Sequence, residues 1–600
     1  MHQPDGPYAM FWTMRTRWSF LALAAVGVTA AQSPIDSPTF HTDRQRTGWR
    51  SHETVLTPDN VSRGAFGPLW NSPPLDAVTI NGSSYPAHLY ASPLYADRVS
   101  IASAKYTGAF SVVFAATSNG YVYAVSAFAT GGVPAGTILW SARLGTASIV
   151  RILDGGMPLG ILSTPIIDLE ASPPRLYAAS DDVELGWQVF ALDVSSGAIL
   201  PGWPLQINDD TLALINENGP TVFQNASAMS QRGALNLSPD GSLLYVPFGA
   251  YGDGGAGWMV AVDTATPALA SAFAGGPSGV DFANAGMWES GGAAIDAAGS
   301  VYVTTGNGTL NNETTPGYWG QSVLAWNPGL PLQLTGTYIP WNYCQMDAAD
   351  IDLSGGSVMV IPSLRSTGTT TPDLIAFGGK QGNIYLVDRD NMPGSLAARP
   401  GCGSDASLDS SLLAPGDQPQ FGTRGPLNVF GPYSDALSNT DYAKSRSTPA
   451  YFQAADGTSY LFATGSSKVS ATSILTVPPC IARIKIVASR DQPAYVAVDA
   501  YENTLSLLSP GSPVITSDGS SNAILWILTA NVLRSQSMVD PSAPRPILYA
   551  LDPFTFEILW QSTPEQLNVG GKYNTPAIAR GVVFVGTDRI QAFGLMTQPD

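Results

Sequence analysis

A chain of 600 residues exceeds one ordinary compact core and suggests about two to four domains, unless it forms one large repeat fold. Only 12% of it is charged, 44% is hydrophobic, and 61 glycines and 47 prolines punctuate it, a balance that favours the repeat. The formal charge of −18 gives a surface that repels phosphate backbones and argues against nucleic-acid partners. The cysteines Cys344, Cys402 and Cys480 form no CxxC or CxxCH pattern, which excludes a disulfide-dense scaffold and c-type haem. The histidines are His2, His41, His52 and His88, so Ser-His-Asp triads and multi-histidine zinc sites are excluded from most of the chain.

In chain order, Arg15 and Arg17 precede an apolar run from Phe20 to Ala31, with small residues at Val28, Ala30 and Ala31 where a peptidase would cut. The run is shorter than the ~20 residues a bilayer span needs. Residues 1–32 are therefore read as a signal peptide of a secreted, extracellular or periplasmic protein, with no transmembrane segment elsewhere. Sequons at Asn60, Asn81, Asn225, Asn236, Asn307 and Asn312 agree with a glycoprotein. Residues 33–62 read as an N-terminal extension.

Beyond it, no sustained helical periodicity occurs. Short β-branched and aromatic runs are bounded by Gly, Asn-Gly and Asp-Gly instead. Ser111–Val125 is the model unit: strand, Asn119-Gly120 turn, strand. A Ser/Thr-Pro opener recurs at Ser92-Pro93, Thr164-Pro165, Thr448-Pro449 and Thr575-Pro576. A closing pattern, Ala-x-Asp-x-x-Thr/Ser-Gly-x-x-x-Trp, is clearest from Phe190 to Trp203 and from Tyr549 to Trp560, with degenerate copies ending at Trp140 and Trp341. Its Asp caps a turn, its Gly adopts the left-handed conformation, and its Trp docks on a neighbouring sheet. Units centred near 90–140, 163–205, 231–270, 290–341, 355–390, 447–480, 522–560 and 573–594 predict an all-β, eight-bladed β-propeller of four-stranded antiparallel blades. It spans 63–600 as a single domain, with loop insertions near 394–446 and 485–520. The last unit has only three strands, and Phe66–Trp70 is expected to supply its fourth and close the ring.

These repeats, with Lys572 to Ala577 and Val585-Gly586-Thr587, are similar to the PQQ-repeat propellers of the quinoprotein alcohol dehydrogenase-like superfamily. The resemblance covers roughly residues 40–594. It implies either a quinone- and calcium-dependent oxidoreductase acting on alcohols or sugars, or a cofactor-free scaffold of the same fold. Gly286-Met287-Trp288, with Asp296, Tyr302 and Thr305-Gly306-Asn307, resembles the blade that floors the quinone with Trp and gives calcium an Asn ligand. By that match Trp288 stacks on PQQ and Asn307 binds Ca²⁺. Lys380, in Gly379–Arg389, stands where a basic residue contacts the quinone oxygens, and Asp253 is the matching carboxylate ligand. The family's catalytic acid would fall in Gly308–Gln321, where the acid is Glu313. No two cysteines are adjacent, unlike the family's vicinal pair. Plainer readings stay open beside these: Asn307 as a turn residue, Asp253 in a solvated glycine-rich loop, Lys380 flanking a surface hairpin.

The acid run Asp347, Asp350 and Asp352 is read as a solvated inter-blade loop, or as carboxylates that bind calcium or act on a glycan. Three functions follow: the quinone enzyme, a non-catalytic propeller binding protein or glycan partners, and a carbohydrate-active enzyme using these acids. A monomer is expected in each case.

Overall fold

The computed structural model describes residues 35–149, 157–223, 229–276, 284–308, 314–403, 409–412, 427–429, 445–465, 480–502, 504–532 and 543–596. The expected signal peptide lies outside them. Eight antiparallel blades follow one another around a ring, the first seven built inner strand to outer strand in chain order. Blade 1 runs Leu94–Ala102, Thr107–Ala116, Tyr121–Ser126, Ile138–Arg143. Blades 2 to 7 occupy 166–206, 229–274, 294–338, 359–428, 450–502 and 514–561 in the same order. Among the described residues no helix is long and apolar enough to cross a membrane.

Blade 8 has three C-terminal strands, Ala577–Ala579, Val582–Gly586 and Ile590–Leu595. Phe66–Asn71 pairs antiparallel with the last of them. The two ends of the chain thus share one sheet, which removes the open edges that two incomplete blades would expose.

The closing pattern works as its residue types require. Asp193 Oδ1 accepts from Ser195 N–H at 2.7 Å, and Gly197 N–H donates to Asp193 O at 2.8 Å. Gly197 has φ +74°, and a Cβ there would lie 2.5 Å from Trp140 Cε3. Trp140 lies over this glycine and donates Nε1–H to Val194 O at 3.0 Å, so the Trp of one blade docks on the turn of the next. In blade 7 the glycine position is held by Phe556, at φ 60°.

Three details differ from the sequence reading. The Asn119-Gly120 turn is not a two-residue hairpin: the strands end at Ala116 and resume at Tyr121, and of the two residues only Gly120 has positive φ, +82°. The expected insertion at 485–520 is mostly blade. Ile481–Val487 and Tyr495–Glu502 complete blade 6, and Val514–Asp518 opens blade 7. The outer strand is half-exposed, which blurs the apolar alternation that marks a strand. Asp347 lies not on a loop but on the helix Tyr343–Ala348. Most of 394–446 lies outside the described residues; Leu427–Asn428 within it is the outer strand of blade 5.

Residues 35–53 run along the inside of the ring as a strap. Each blade donates to it. Tyr95, Ile167, Ile295, Val360, Tyr451 and Ile515 give backbone N–H groups to the carbonyls of Ser37, Pro38, Arg44, Gln45, Thr47 and Gly48. Asn236 Nδ2 also donates to Arg44 O, and Gly581 N–H donates to Glu53 Oε2. Arg46 is fully buried at the centre, donating to the carbonyls of Phe40, Leu235 and Ala293 and to Thr39 Oγ1.

Candidate functional site

The inner strands begin at a cavity of about 310 Å³. Arg232 reaches it from between the two short inner segments of blade 3, and Trp288, Asp352, Arg446 and Lys572 reach it from segments preceding the inner strands of blades 4, 5, 6 and 8. The strap contacts the same strands several residues further on, so cavity and strap lie towards opposite ends of the ring's axis.

Glycines fix the floor. A Cβ on Gly249 would lie 2.8 Å from Trp288 Cβ, and one on Gly306 would lie 2.9 Å from Trp288 Nε1. Bare backbone is therefore required beside the Cβ and beside the Nε1 edge of this tryptophan. Two cations stand over its face: Lys380 Nζ at 5.1 Å and the Arg232 guanidinium at 5.8 Å from the ring. Arg232 also lies 4.9 Å from the Tyr573 ring, an arrangement stabilised by the ring quadrupoles.

Beside the indole is a chain of charges. Lys380 Nζ donates to Asp350 Oδ1 at 3.0 Å and also to Asp352 Oδ2. Asn307 Nδ2 donates to the same Asp350 Oδ1 at 3.1 Å and to Asp253 Oδ2 at 3.2 Å. Asp253 sits in the turn Tyr251–Asp253 with φ 55° after Gly252 at 57°, a left-handed pair that Asp tolerates better than most residues. Burial, reinforced by Asp352, pushes its carboxyl up to about 6.

Asn307 is held on three sides. Its N–H donates to Asp352 Oδ1 at 2.9 Å, and Gly308 N–H donates to Asp347 Oδ1 at 2.7 Å. Leu353 N–H donates to Gln321 Oε1 at 2.7 Å, so Gln321 presents Nε2 to Asn307 Oδ1 at 3.0 Å. A backbone donor thereby sets the polarity of both amides, and Asn307 presents Nδ2, not Oδ1, to the carboxylates.

Four expected residues converge: Asp253, Trp288 and Lys380 line the cavity, and Asn307 bonds to Asp253 and Asp350. Lys380 is no surface flank, its side chain being 10% exposed. Asn307 and Asn236 are buried with engaged amides, so neither has room for a glycan. Glu313 lies outside the described residues, as do Asn225 and Asn312. The solvated-loop reading of 347–352 is corrected. Asp350 and Asp352 line the cavity, and Asp347, with a 1% exposed side chain, faces Gly308 because burial leaves it no water to bond.

Arg232, Arg446, Lys572 and Tyr573 were missed. Arg446 and Lys572 lie just before the Thr448 and Thr575 openers, so basic residues in register with openers were the available signal in a chain with only 28 Lys and Arg.

The oxygens of Asp253, Asp350 and Asp352 are the donors that hard cations take. Among the described residues, no group of three or more His, Cys, Asp or Glu is arranged to hold a metal by itself, and Asn307, whose Oδ1 is bonded to Gln321, turns its Nδ2 and not an oxygen towards these carboxylates. The cations and the indole suit a flat, anionic aromatic ligand.

No family model matches the sequence, and no curated protein matches it. Solved structures do. The quinohemoprotein alcohol dehydrogenase from Comamonas testosteroni superposes with a TM-score of 0.57 at 14% identity, covering 96% of this chain and 82% of that one. A europium-containing methanol dehydrogenase superposes with a TM-score of 0.55 at 16% identity, covering 92% and 91%. The likeness is one of fold: an eight-bladed ring shared with quinoproteins.

Proposed function

We propose that this chain is a quinone- and metal-dependent oxidoreductase acting on a small alcohol or sugar. The observation that carries the reading is the convergence of an indole face, three carboxylates and four basic residues on one axial cavity. The face of Trp288 would take the planar quinone, and Arg232, Lys380, Arg446 and Lys572 would pair with its acid groups. Asp253 and Asp352 would hold calcium or a trivalent ion, joined by Asn307 only if its amide turned over to bring Oδ1, here bonded to Gln321, to face them. When bound, metal and quinone supply a polarised carbonyl that accepts hydride. Asp350, whose side chain is 43% exposed against 3% for Asp352, would take the hydroxyl proton of the substrate. Asp350 thus replaces Glu313 in the role of base. Lys380 Nζ donates to Asp350 Oδ1, and the Asp253 turn closes the site from the blade 3 side.

The disulfide Cys344–Cys402 supports export to an oxidising compartment. A second reading, a non-catalytic binding propeller, is favoured by one observation: Lys380 and Asn307 already satisfy the three carboxylates. Reconstitution separates the two. With PQQ and either Ca²⁺ or a lanthanide, the enzyme reading expects a shift in quinone absorbance and dye reduction with an alcohol panel. No quinone bound at micromolar concentration would leave the binding propeller.

A further inference from the structure

One chain of hydrogen bonds runs from a backbone donor to the acids of the cavity, and it has a single possible sense. Leu353 N–H donates to Gln321 Oε1 at 2.7 Å, and Gln321 Nε2 donates to Asn307 Oδ1 at 3.0 Å. Asn307 Nδ2 then donates to Asp350 Oδ1 at 3.1 Å and to Asp253 Oδ2 at 3.2 Å. A backbone N–H can only donate, so Gln321 receives on Oε1 and gives on Nε2, and Asn307 must do the same. Leu353, Gln321 and Asn307 are all buried, where a lost partner is not replaced by bulk water. The backbone holds this relay in place. Gln321 has a left-handed conformation, φ 53°, which a residue other than glycine keeps only where its neighbours fix it. Its N–H donates to Gly306 O at 2.7 Å. The carbonyl before it, Gly320 O, accepts from the buried Arg399 Nη1 at 2.6 Å, which itself lies 3.9 Å from Asp347 Oδ2. The residue after it, Ser322, donates N–H to Thr305 Oγ1 at 2.9 Å and accepts from Thr305 N–H at 2.8 Å. Asn307 N–H is bonded to Asp352 Oδ1 at 2.9 Å, so Asn307 is fixed at its backbone as well as at its amide.

We propose that Gln321 is a positioning residue: through Asn307 it sets the carboxylate of Asp350 in the orientation from which that carboxylate takes the hydroxyl proton of the substrate. The inference rests on the oxidoreductase reading for the role of Asp350, and it adds a residue outside the lining of the cavity. In the step it serves, the substrate O–H bond breaks and its proton passes to Asp350. The C–H pair leaves as hydride to the quinone, and the carbon becomes a carbonyl. Lys380 Nζ meets the same Asp350 Oδ1, but an ammonium is a point charge that attracts an oxygen without fixing its direction. A planar amide anchored at its far end offers its hydrogen along one line. In this sense Asn307 serves the base and not a cation.

The test is a double-mutant cycle in reconstituted full-length protein. Gln321→Met keeps the volume and removes both bonds, and Asn307→Leu removes the amide through which Gln321 acts. Gln321→Met is expected to lower kcat about tenfold to a hundredfold, the cost of misplacing a reacting group by up to about 1 Å. KM, and PQQ affinity from an absorbance titration, should stay within about threefold of wild type, since only the reacting geometry is disturbed. In the Asn307→Leu background the same substitution should change kcat by less than about twofold, because nothing is left for Gln321 to act on. In crystals of cofactor-free Gln321→Met, the Asp350 carboxylate should leave its place against Asn307 Nδ2. Losses that multiply across the cycle, or that follow the melting temperature from variant to variant, would overturn the proposal in favour of general destabilisation. An unchanged kcat in Gln321→Met would overturn it outright. Wild-type protein that oxidises no alcohol or sugar would sink the oxidoreductase reading instead, and an unmoved Asp350 in the variant crystal would sink the positioning role on its own.

Discussion

The two ends of the propeller axis bury positive charge in opposite ways. At the strap end, Arg46 is enclosed completely and bonded to carbonyl and hydroxyl oxygens of the strap and of blades 3 and 4. Burial lowers its guanidinium to about 9. At the cavity end, Lys380 is bonded to carboxylates and faces open space. Neutral carbonyls can only satisfy a cation; carboxylates shared between a lysine and an amide can also exchange partners. The first arrangement closes a ring, and the second can bind and move protons.

The largest expected effect sharpens the cavity side. In reconstituted protein, Asp350→Asn should lower turnover roughly 10²–10⁴-fold, the usual worth of a positioned base, with an unchanged melting curve. A variant that keeps its rate would remove Asp350 from the chemistry. The next falls on the strap. Arg46→Ala leaves the carbonyl of Phe40 without its donor, strips one of two donors from Leu235 and Ala293 and opens a buried void, and should cost about 3 kcal/mol or more in denaturant unfolding, with little change in cation affinity for the protein that remains folded. If the loss appears in affinity instead, the two ends are not separable.

Much of this contrast was legible in the sequence. The Asp193, Gly197 and Trp140 positions announced the repeat because each does one local job, and Phe66–Trp70 could be assigned to the last blade because an incomplete sheet needs a partner. Trp288, Asp253, Asn307 and Lys380 were legible through resemblance. The acids of 347–352 were not, because a short helix places Asp347 inward and leaves Asp350 and Asp352 at the axis, an arrangement that depends on Arg399 some fifty residues away. The strap was invisible for a related reason. Its bonds to six of the blades run backbone to backbone, and its sequence carries no strand alternation.

A smaller effect probes the repeat that carries both ends. Gly197→Ala forces a Cβ into the Trp140 ring at positive φ and should destabilise by about 1–3 kcal/mol, measured by thermal melting without cofactor. An unchanged melting curve would show that the Trp docking contributes little.

The smallest is a pH effect. Burial raises the carboxyls of Asp253 and Asp347 to about 6 each. Because these folded-state values lie above the unfolded ones, their protonation favours the fold. The metal-free protein should therefore lose stability as pH rises from about 4 through 6. Cation affinity should move the other way, rising through the same window as Asp253 gives up its proton. A terbium affinity that is flat between pH 5 and 7 would mean that Asp253 is not part of the cation site.

The most direct measurement is a crystal structure of the protein soaked with PQQ and Ca²⁺. The account predicts the quinone plane on the face of Trp288, its acid groups among Arg232, Lys380, Arg446 and Lys572, and the cation beside Asp253 and Asp352. Density for the quinone elsewhere, or a cavity that takes up neither ligand at saturating concentration, would contradict it.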